Sequence, residues 1–413
     1  MQNSLRTDIG ILDGLIKNAA AYSDKTAIMC EKKHLSYKSL LNNSLSLAKQ
    51  LNFLRSEKEE YWGIGLFLEN DIQLIVNFIS IVGSKAVPLL FDPSWSQEQL
   101  ENIVEIYSPK LLLTSEKVLA QFKGILAHYC IINHIGNRLI LQCKKTNETF
   151  KFKENMLFVG FTSGTTTLPK AYLQTHHAWK KSMAASASFF GIDNQMTVIV
   201  PGPLVHGLSL YATFEGLTVG ASVIFLKKFD PSKLINLFTE LTAPLSLVVV
   251  PTMLNKLIGE LECETKQFNA KSFNSVKKII TAGSKLSKIT SEKIETFFPK
   301  AAIYEYYGAS ELGFITANIT SVTHPFNHSV GQVFPGVKIK ITDRADKPLP
   351  VGEIGTVWVQ SPYISQGYVM EADKLGFRQK GDWATVGDQG YLDLNHYLFL
   401  IGRDGDLIIT GGG

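Results

Sequence analysis

The sequence predicts an α/β fold: two helix-covered, mostly parallel sheets followed by a small β-rich, barrel-like unit. Three observations predict it. Apolar runs of strand length alternate with helix-length amphipathic stretches up to Thr114, and a second series of the same kind runs from Met156 to Tyr306. Beyond Gly331 the pattern changes to short alternating strands separated by turn signals. Strands and helices of these lengths in alternation argue a mostly parallel sheet covered by helices.

Taken in order, Ile11 to Ala21 has the amphipathic pattern of a helix, and Leu35-Ser36-Tyr37 opens a second with Leu40, Leu41, Leu47 and Leu51 among its apolar positions. Trp62 to Leu68 reads as a buried strand, Ile72 to Val82 as a helix, Ala86 to Phe91 as a strand, Gln97 to Tyr107 as a helix and Lys110 to Thr114 as a third strand. Met156 to Phe161 has the composition of a buried strand and opens the second series. That series continues with strand Thr197 to Val200, a helix from about Gly207, strand Ala221 to Leu226, helix Pro231 to Thr239 and strand Leu245 to Val250. Strand Lys278 to Thr281, helix Ser287 to Phe298 and strand Ala302 to Tyr306 complete it. Turns at Pro335-Gly336, Asp343 to Pro350 and Gly352 mark the β-rich remainder.

A chain of 413 residues holds two or three units at about 150 residues each. Its formal net charge of +4 is mild, and no lysine or arginine block with interleaved aromatics suggests nucleic acid. Cys30, Cys130, Cys143 and Cys263 are widely spaced, forming neither a C-x-x-C metal pattern nor a compact disulfide framework, and are expected to be reduced. No apolar core of a signal peptide and no stretch of 18 or more apolar residues is found. A cytoplasmic protein without a transmembrane segment is expected.

The strand Met156 to Phe161 feeds Thr162, Ser163, Gly164, Thr165, Thr166 and Thr167, and the loop closes on Pro169-Lys170. This is phosphate chemistry: Gly164 lets the backbone approach an anion, the hydroxyls donate hydrogen bonds and Lys170 adds charge. Composition alone would make it an ordinary surface loop. A Walker loop is excluded, since Pro169 precedes Lys170 and Ala171 follows it.

Ligands of parallel sheets gather at the carboxyl ends of the strands, where Thr281-Ala282-Gly283-Ser284 and Tyr306-Tyr307-Gly308-Ala309-Ser310-Glu311 lie. In the second segment an aromatic can stack on adenine, a hydroxyl can reach the α-phosphate and a carboxylate can hold magnesium. In WATVGDQGYLD, Asp388 occupies a glycine-flanked turn where it could accept two hydrogen bonds from a ribose diol. His206 lies between a strand and a helix, a place where histidine is more often a core or cap residue than a catalytic one; His176 and His177 carry less weight still.

Thr162 to Ala171 resembles the T-S-G-T-T-G-x-P-K-G phosphate loop of adenylate-forming enzymes, the family of acyl-CoA synthetases, firefly-type luciferases and peptide-synthetase adenylation domains. Thr167 and Ala171 stand where the family has glycine. Tyr307 to Glu311 resembles Y-G-x-T-E with Ser310 for threonine, Val386-Gly387-Asp388 resembles T-G-D, and Gly402-Arg403-Asp404-Gly405-Asp406 resembles G-R-x-x-D. The resemblance covers nearly the whole chain and points most closely to bacterial acyl-CoA synthetases of the long-chain fatty-acid ligase type.

It implies a large N-terminal AMP-binding domain over residues 1–402, with α/β parts at about 1–160 and 161–330 and a β-rich part at 331–402. Residues 403–413 would then be a hinge, at Gly405, and the start of an absent C-terminal domain, so a truncated chain is expected. The resemblance assigns catalytic roles to Lys170, Ser310 and Glu311, with magnesium (Mg2+) on Glu311, and phosphate binding to Thr162, Ser163, Gly164, Thr165, Thr166 and Lys170. Nucleotide contacts fall to Gly283, Ser284, Tyr306, Tyr307, Gly308, Asp388 and Arg403. His206 and Tyr211 would border the acyl site.

The implied substrates are ATP, a carboxylic acid and coenzyme A. Ser209 to Phe214 carries no acid of the kind that binds a substrate amine in amino-acid-activating relatives, which favours a fatty or other unaminated acid. Two rivals stay open at this point: transfer to a carrier-protein thiol, and a nucleotide-binding module without turnover, which the two missing glycines keep alive.

Overall fold

Local chemistry explains where the helices begin. Ser36, Asp71, Ser96, Asp230 and Ser287 each have extended backbone immediately before a helix, and each side chain accepts a backbone N–H of the first turn. Such a cap contributes about 1 kcal/mol. Ser96 and Gln99 close a reciprocal capping box, and Pro231 supplies a pre-set φ at the start of its helix.

The computed structural model describes residues 10–55, 62–135, 138–144, 152–162, 168–264, 273–320, 328–370 and 376–403. The chain divides into two units, one of Met1–Lys180 with Asp193–Phe229 and the other of Lys181–Ile192 with Asp230–Gly413.

In the first unit, one sheet of described strands runs in the order Tyr129–Ile135, Arg138–Cys143, Leu111–Ser115, Gly63–Phe67, Val87–Leu90, Met156–Thr162 and Lys170–Thr175. The central four are parallel and the outer pairings antiparallel. Gly63–Phe67 and Val87–Leu90 are buried at every position, as strands covered on both faces must be. The helix Ile72–Gly83 is buried nearly all round, which its sequence of isoleucine, leucine, valine and phenylalanine permits.

The same unit contains a second run of strands, Lys33–Ser36, Thr26–Cys30, Ser222–Phe225 and Thr197–Val200. Thr26–Cys30 lies parallel to Ser222–Phe225. Tyr37 donates its hydroxyl to the Ala221 carbonyl at 2.7 Å, and the Asn18 amide donates to the Leu217 carbonyl at 2.8 Å. Residues 10–37 thus find their partners near residue 220, so the chain does not divide into the consecutive stretches that the sequence suggested.

In the second unit, Leu245–Val249, Val276–Ala282 and Ala302–Ala309 are parallel. The last of these, expected to end at Tyr306, continues to Ala309 and turns back antiparallel as Gly313–Thr320. Two glycines make the turn possible. A Cβ on Gly308 would strike the Gly313 carbonyl oxygen, and Gly313 has φ +69° with the Tyr363 side chain 2.8 Å from where a Cβ would stand. Behind the hairpin, Phe314 stacks on Phe334 with ring centroids 4.5 Å apart and touches Tyr306 at 4.6 Å.

The β-rich part has described strands Lys338–Thr342, Gly355–Gln360, Arg378–Lys380, Trp383–Thr385, Asp388–Leu392 and Leu398–Arg403, all paired antiparallel. No disulfide joins the four cysteines, and burial pushes the Cys30 thiol up to about 11. Among the described residues no helix is long and apolar enough to cross a membrane.

Candidate active site

The first unit presents the expected phosphate loop as a hairpin connection. Thr162 ends one strand, Lys170 begins the next, and the two are partners in the antiparallel ladder; the Thr162 hydroxyl donates to the Lys170 carbonyl at 3.4 Å. Ser163, Gly164, Thr165, Thr166 and Thr167 lie outside the described residues. A Walker loop leads from a strand into a helix, whereas this one returns into a strand. Ala171 is fully buried and pairs with Phe161 in extended backbone, where no glycine is required.

In the same unit His206 stands immediately before the helix Gly207–Val219 but makes no capping bond. Its Nε2 lies 3.5 Å from Asp92 Oδ2, with the histidine side chain 56% exposed. The segment leading to it is held by Asn70, whose amide donates to the Gly202 and Leu226 carbonyls at 3.0 and 2.9 Å and accepts the Leu204 N–H at 2.7 Å. Nothing in the local sequence marks Asn70 or Asp92 for these roles.

Tyr211 packs its ring on Trp179 at 5.2 Å. Phe214 is buried against Phe78, as Phe314 is against Phe334, so both belong to packed cores. His176 Nδ1 accepts the Ile11 N–H at 3.4 Å, a packing role. Glu215, the residue after the acid-free stretch Ser209 to Phe214, is buried within the helix.

The second unit brings three separated segments to one carboxylate. Asp388 opens the strand Asp388–Leu392, and the positive-φ turn residue is Gly387 before it, so Asp388 is a strand residue where the sequence suggested a turn. Arg403, its ladder partner, donates Nε to Asp388 Oδ1 at 2.7 Å, and Tyr307 donates its hydroxyl to Oδ2.

Asp388 is 7% exposed. Burying a carboxylate is costly unless it is paired and hydrogen-bonded, and here each oxygen has a donor. Burial, reinforced by the neighbouring Asp388, holds the Tyr307 phenol well above the usual tyrosine range, while the bond to Asp388 raises the Arg403 guanidinium. Tyr307 is therefore a neutral donor at physiological pH and Arg403 a cation. Glu311, four residues on from Tyr307 at the tip of the same hairpin, adds a second buried carboxylate to this part of the unit.

Glu311 lies in the turn between Ala302–Ala309 and Gly313–Thr320, with Ser310 beside it. Though only 7% exposed, it accepts the Tyr368 hydroxyl, and its carbonyl accepts the Ser365 N–H at 2.8 Å. Tyr368 and Ser365 lie far along the chain, and no local pattern announced them.

The loop after Val276–Ala282 is fixed by another unexpected residue. Gly283 follows its strand with φ +98°, and Ser284 comes next. Glu305, 4% exposed on the adjacent parallel strand, then accepts Lys285 Nζ and the Leu286 N–H, both at 2.7 Å. Lys285 also donates to the Ser329 carbonyl at 2.7 Å. Gly405, expected at the hinge, lies outside the described residues.

Residues 15–369 match the model of a family described as AMP-binding enzyme. The chain belongs to the AMP-binding enzyme family. Its curated relatives include VraA of Staphylococcus epidermidis, by name a candidate long chain fatty acid-CoA ligase, at 29% identity over 95% of this chain and 76% of the relative. The uncharacterized acyl-CoA ligase YhfT of Bacillus subtilis is 27% identical over 94% of this chain and 77% of its own.

Among solved structures, ATP-bound MatB from Rhodopseudomonas palustris aligns with a TM-score of 0.81 at 22% identity, over 98% of this chain and 80% of that one. The O-succinylbenzoate coenzyme A synthetase MenE from Bacillus subtilis, in complex with AMP, aligns with a TM-score of 0.79 at 22% identity, over 97% and 80%. These two likenesses are of fold.

Proposed function

We propose that this AMP-binding enzyme activates a carboxylic acid with ATP, releasing pyrophosphate and forming acyl-AMP, and then transfers the acyl group to the thiol of coenzyme A. The observation that carries the reading is the convergence of Tyr307, Asp388 and Arg403, with the buried Glu311 on the same hairpin as Tyr307. These residues come from the segments that resemble the family's nucleotide-binding motifs. The acyl-CoA ligase names of VraA and YhfT support the second half-reaction.

The acid's own carboxylate oxygen attacks the α-phosphorus, so no nucleophile from the protein is needed. The protein's work is positioning and charge stabilisation. Asp388 accepts from the ribose hydroxyls, Tyr306 and Tyr307 border the base together with Gly283 and Ser284, and the Ser310 hydroxyl donates to the α-phosphate. Lys170 and the hydroxyls of the phosphate loop take the β- and γ-phosphates.

Among the described residues no group of three or more His, Cys, Asp or Glu side chains could hold a metal alone. Magnesium is commonly bound by one or two carboxylates together with substrate phosphates, and Glu311, a nearly buried single carboxylate held by Tyr368, fits that donor set. There it would neutralise charge developing on the phosphates.

We assign the substrate to fatty or other unaminated acids, with His206 and Tyr211 bordering it, and place the enzyme in the cytoplasm, where ATP and coenzyme A are supplied. Ala171 weakens the case for a module without turnover, because its strand position has no need of glycine. Pyrophosphate exchange with a panel of acids tests the reading: exchange with an unaminated acid is expected, and none with any acid would overturn it. Trapping the acyl group on coenzyme A rather than on a carrier-protein thiol tests the acceptor.

A further inference from the structure

The proposed function gives the Tyr307 ring a place beside the base and leaves its hydroxyl unused. That hydroxyl is given to Asp388 Oδ2, while Arg403 Nε takes Oδ1 at 2.7 Å. The hairpin geometry fixes the donor: Tyr307 lies at the bulge of its ladder, next to Gly308, which no larger residue could replace without striking the Gly313 carbonyl. Asp388 and Arg403 are opposite each other in a second ladder. Two independent backbone pairings thus converge on one carboxylate.

We infer that the Tyr307 hydroxyl is a positioning group which, with Arg403, orients the Asp388 carboxylate toward the ribose diol, and so sets the preference of the site for ribonucleotides over sugars lacking those hydroxyls. The inference rests on the assignment of Asp388 to the ribose.

A carboxylate has about four acceptor sites, and the tyrosine and arginine each occupy one, leaving the others for two further donors. A diol supplies two. With both protein donors in place the carboxylate cannot rotate about its Cβ–Cγ bond without losing both bonds, so it meets the ribose already oriented and little ordering entropy remains to be lost on binding. Without the phenol hydroxyl, one oxygen of a buried carboxylate loses its donor and the orientation is held by arginine alone. The high Tyr307 pKa supports this arrangement, since the phenol keeps its proton through the physiological range.

The test is calorimetric, with ATP and 2′,3′-dideoxy-ATP as the two probes and Tyr307→Phe and Asp388→Asn as the variants. Phenylalanine keeps the ring and removes only the hydroxyl. Tyr307→Phe is expected to weaken ATP binding about tenfold, the size of one hydrogen bond to a charged group, and to change dideoxy-ATP binding less than about twofold.

An equal loss with both nucleotides would mean that the hydroxyl acts by packing, and no loss with either would mean that it does nothing for the nucleotide; each overturns the inference. Asp388→Asn separates this from the ribose assignment. If its loss is confined to ATP while that of Tyr307→Phe is not, only the inference fails. If Asp388→Asn weakens both nucleotides equally, the ribose assignment fails and takes the inference with it. Thermal unfolding of each variant confirms that binding is compared between folded proteins.

Discussion

Asp388 and Asp92 are both largely buried aspartates with a half-exposed basic neighbour, and they differ in how closely their oxygens are held. Asp388 is 7% exposed, its two oxygens bound by Arg403 at 2.7 Å and by Tyr307. Asp92 meets His206 at 3.5 Å across a gap in which the imidazole is 56% exposed. In the first case desolvation makes every donor count, because losing one leaves a buried charge under-satisfied. In the second, a single contact at 3.5 Å reaches an imidazole open to water, and such pairs contribute about 0 to 1 kcal/mol. Glu311, as buried as Asp388 and held by Tyr368, belongs with the first kind.

The contrast can be broken by substitution. The largest effect is expected at Glu311→Gln, which keeps size and an acceptor for Tyr368 but removes the charge. Pyrophosphate exchange should fall on the order of 10²-fold or more, with an unchanged circular dichroism spectrum. Exchange at the wild-type rate in the folded variant would remove Glu311 from the chemistry and make its burial merely structural.

Next comes Asp388→Ala. It should weaken AMP binding by more than about tenfold, since a charged hydrogen-bond acceptor is lost, while leaving inorganic pyrophosphate binding unchanged. Calorimetry on both ligands separates the outcomes: equal losses would place Asp388 among structural residues, and the contrast with Asp92 would then be one of stability only.

A smaller effect lies in pH dependence. The folded-state pKa of Tyr307 is raised by burial and by Asp388, whereas an unfolded tyrosine ionises near pH 10. The stability contributed by the neutral phenol is therefore fully present below about pH 10 and declines as pH rises further, at up to about 1.4 kcal/mol per pH unit. Unfolding curves between about pH 9 and 11 should therefore fall more steeply for the wild type than for Tyr307→Phe. Parallel curves would show that the phenol is not shielded as its contacts indicate.

The smallest change is expected at His206→Ala, whose side chain is more than half exposed. Its denaturant midpoint should shift by less than about 1 kcal/mol in stability. A shift of several kcal/mol would put the His206–Asp92 pair in the same class as the Arg403–Asp388 pair.

What the sequence determined by itself was local. Apolar runs of strand length placed Gly63–Phe67, Val87–Leu90 and Thr197–Val200 within a residue or two, because burial on both faces leaves an unbroken apolar stretch. Serine and aspartate caps served the helices for the same reason: the hydrogen bond closes within one turn. The chemical character of Tyr307 to Glu311 and of Gly387-Asp388 was legible too, since each motif carries its donors, acceptors and glycines in adjacent positions.

Only the tertiary structure decided which of these meet. Tyr307 and Asp388 are separated by 81 residues, Tyr368 and Glu311 by 57, and Lys285 and Glu305 by 20. A side-chain hydrogen bond across such distances leaves no periodic trace in either segment. The return strands Lys170–Thr175 and Gly313–Thr320 went unread because their mixed composition resembles that of loops, and their partners supply the pairing. The pairing of Thr26–Cys30 with Ser222–Phe225 is of the same kind. A strand's neighbour depends on which edge is still open when the core closes, and that is a property of the whole packing unit, not of any stretch of chain.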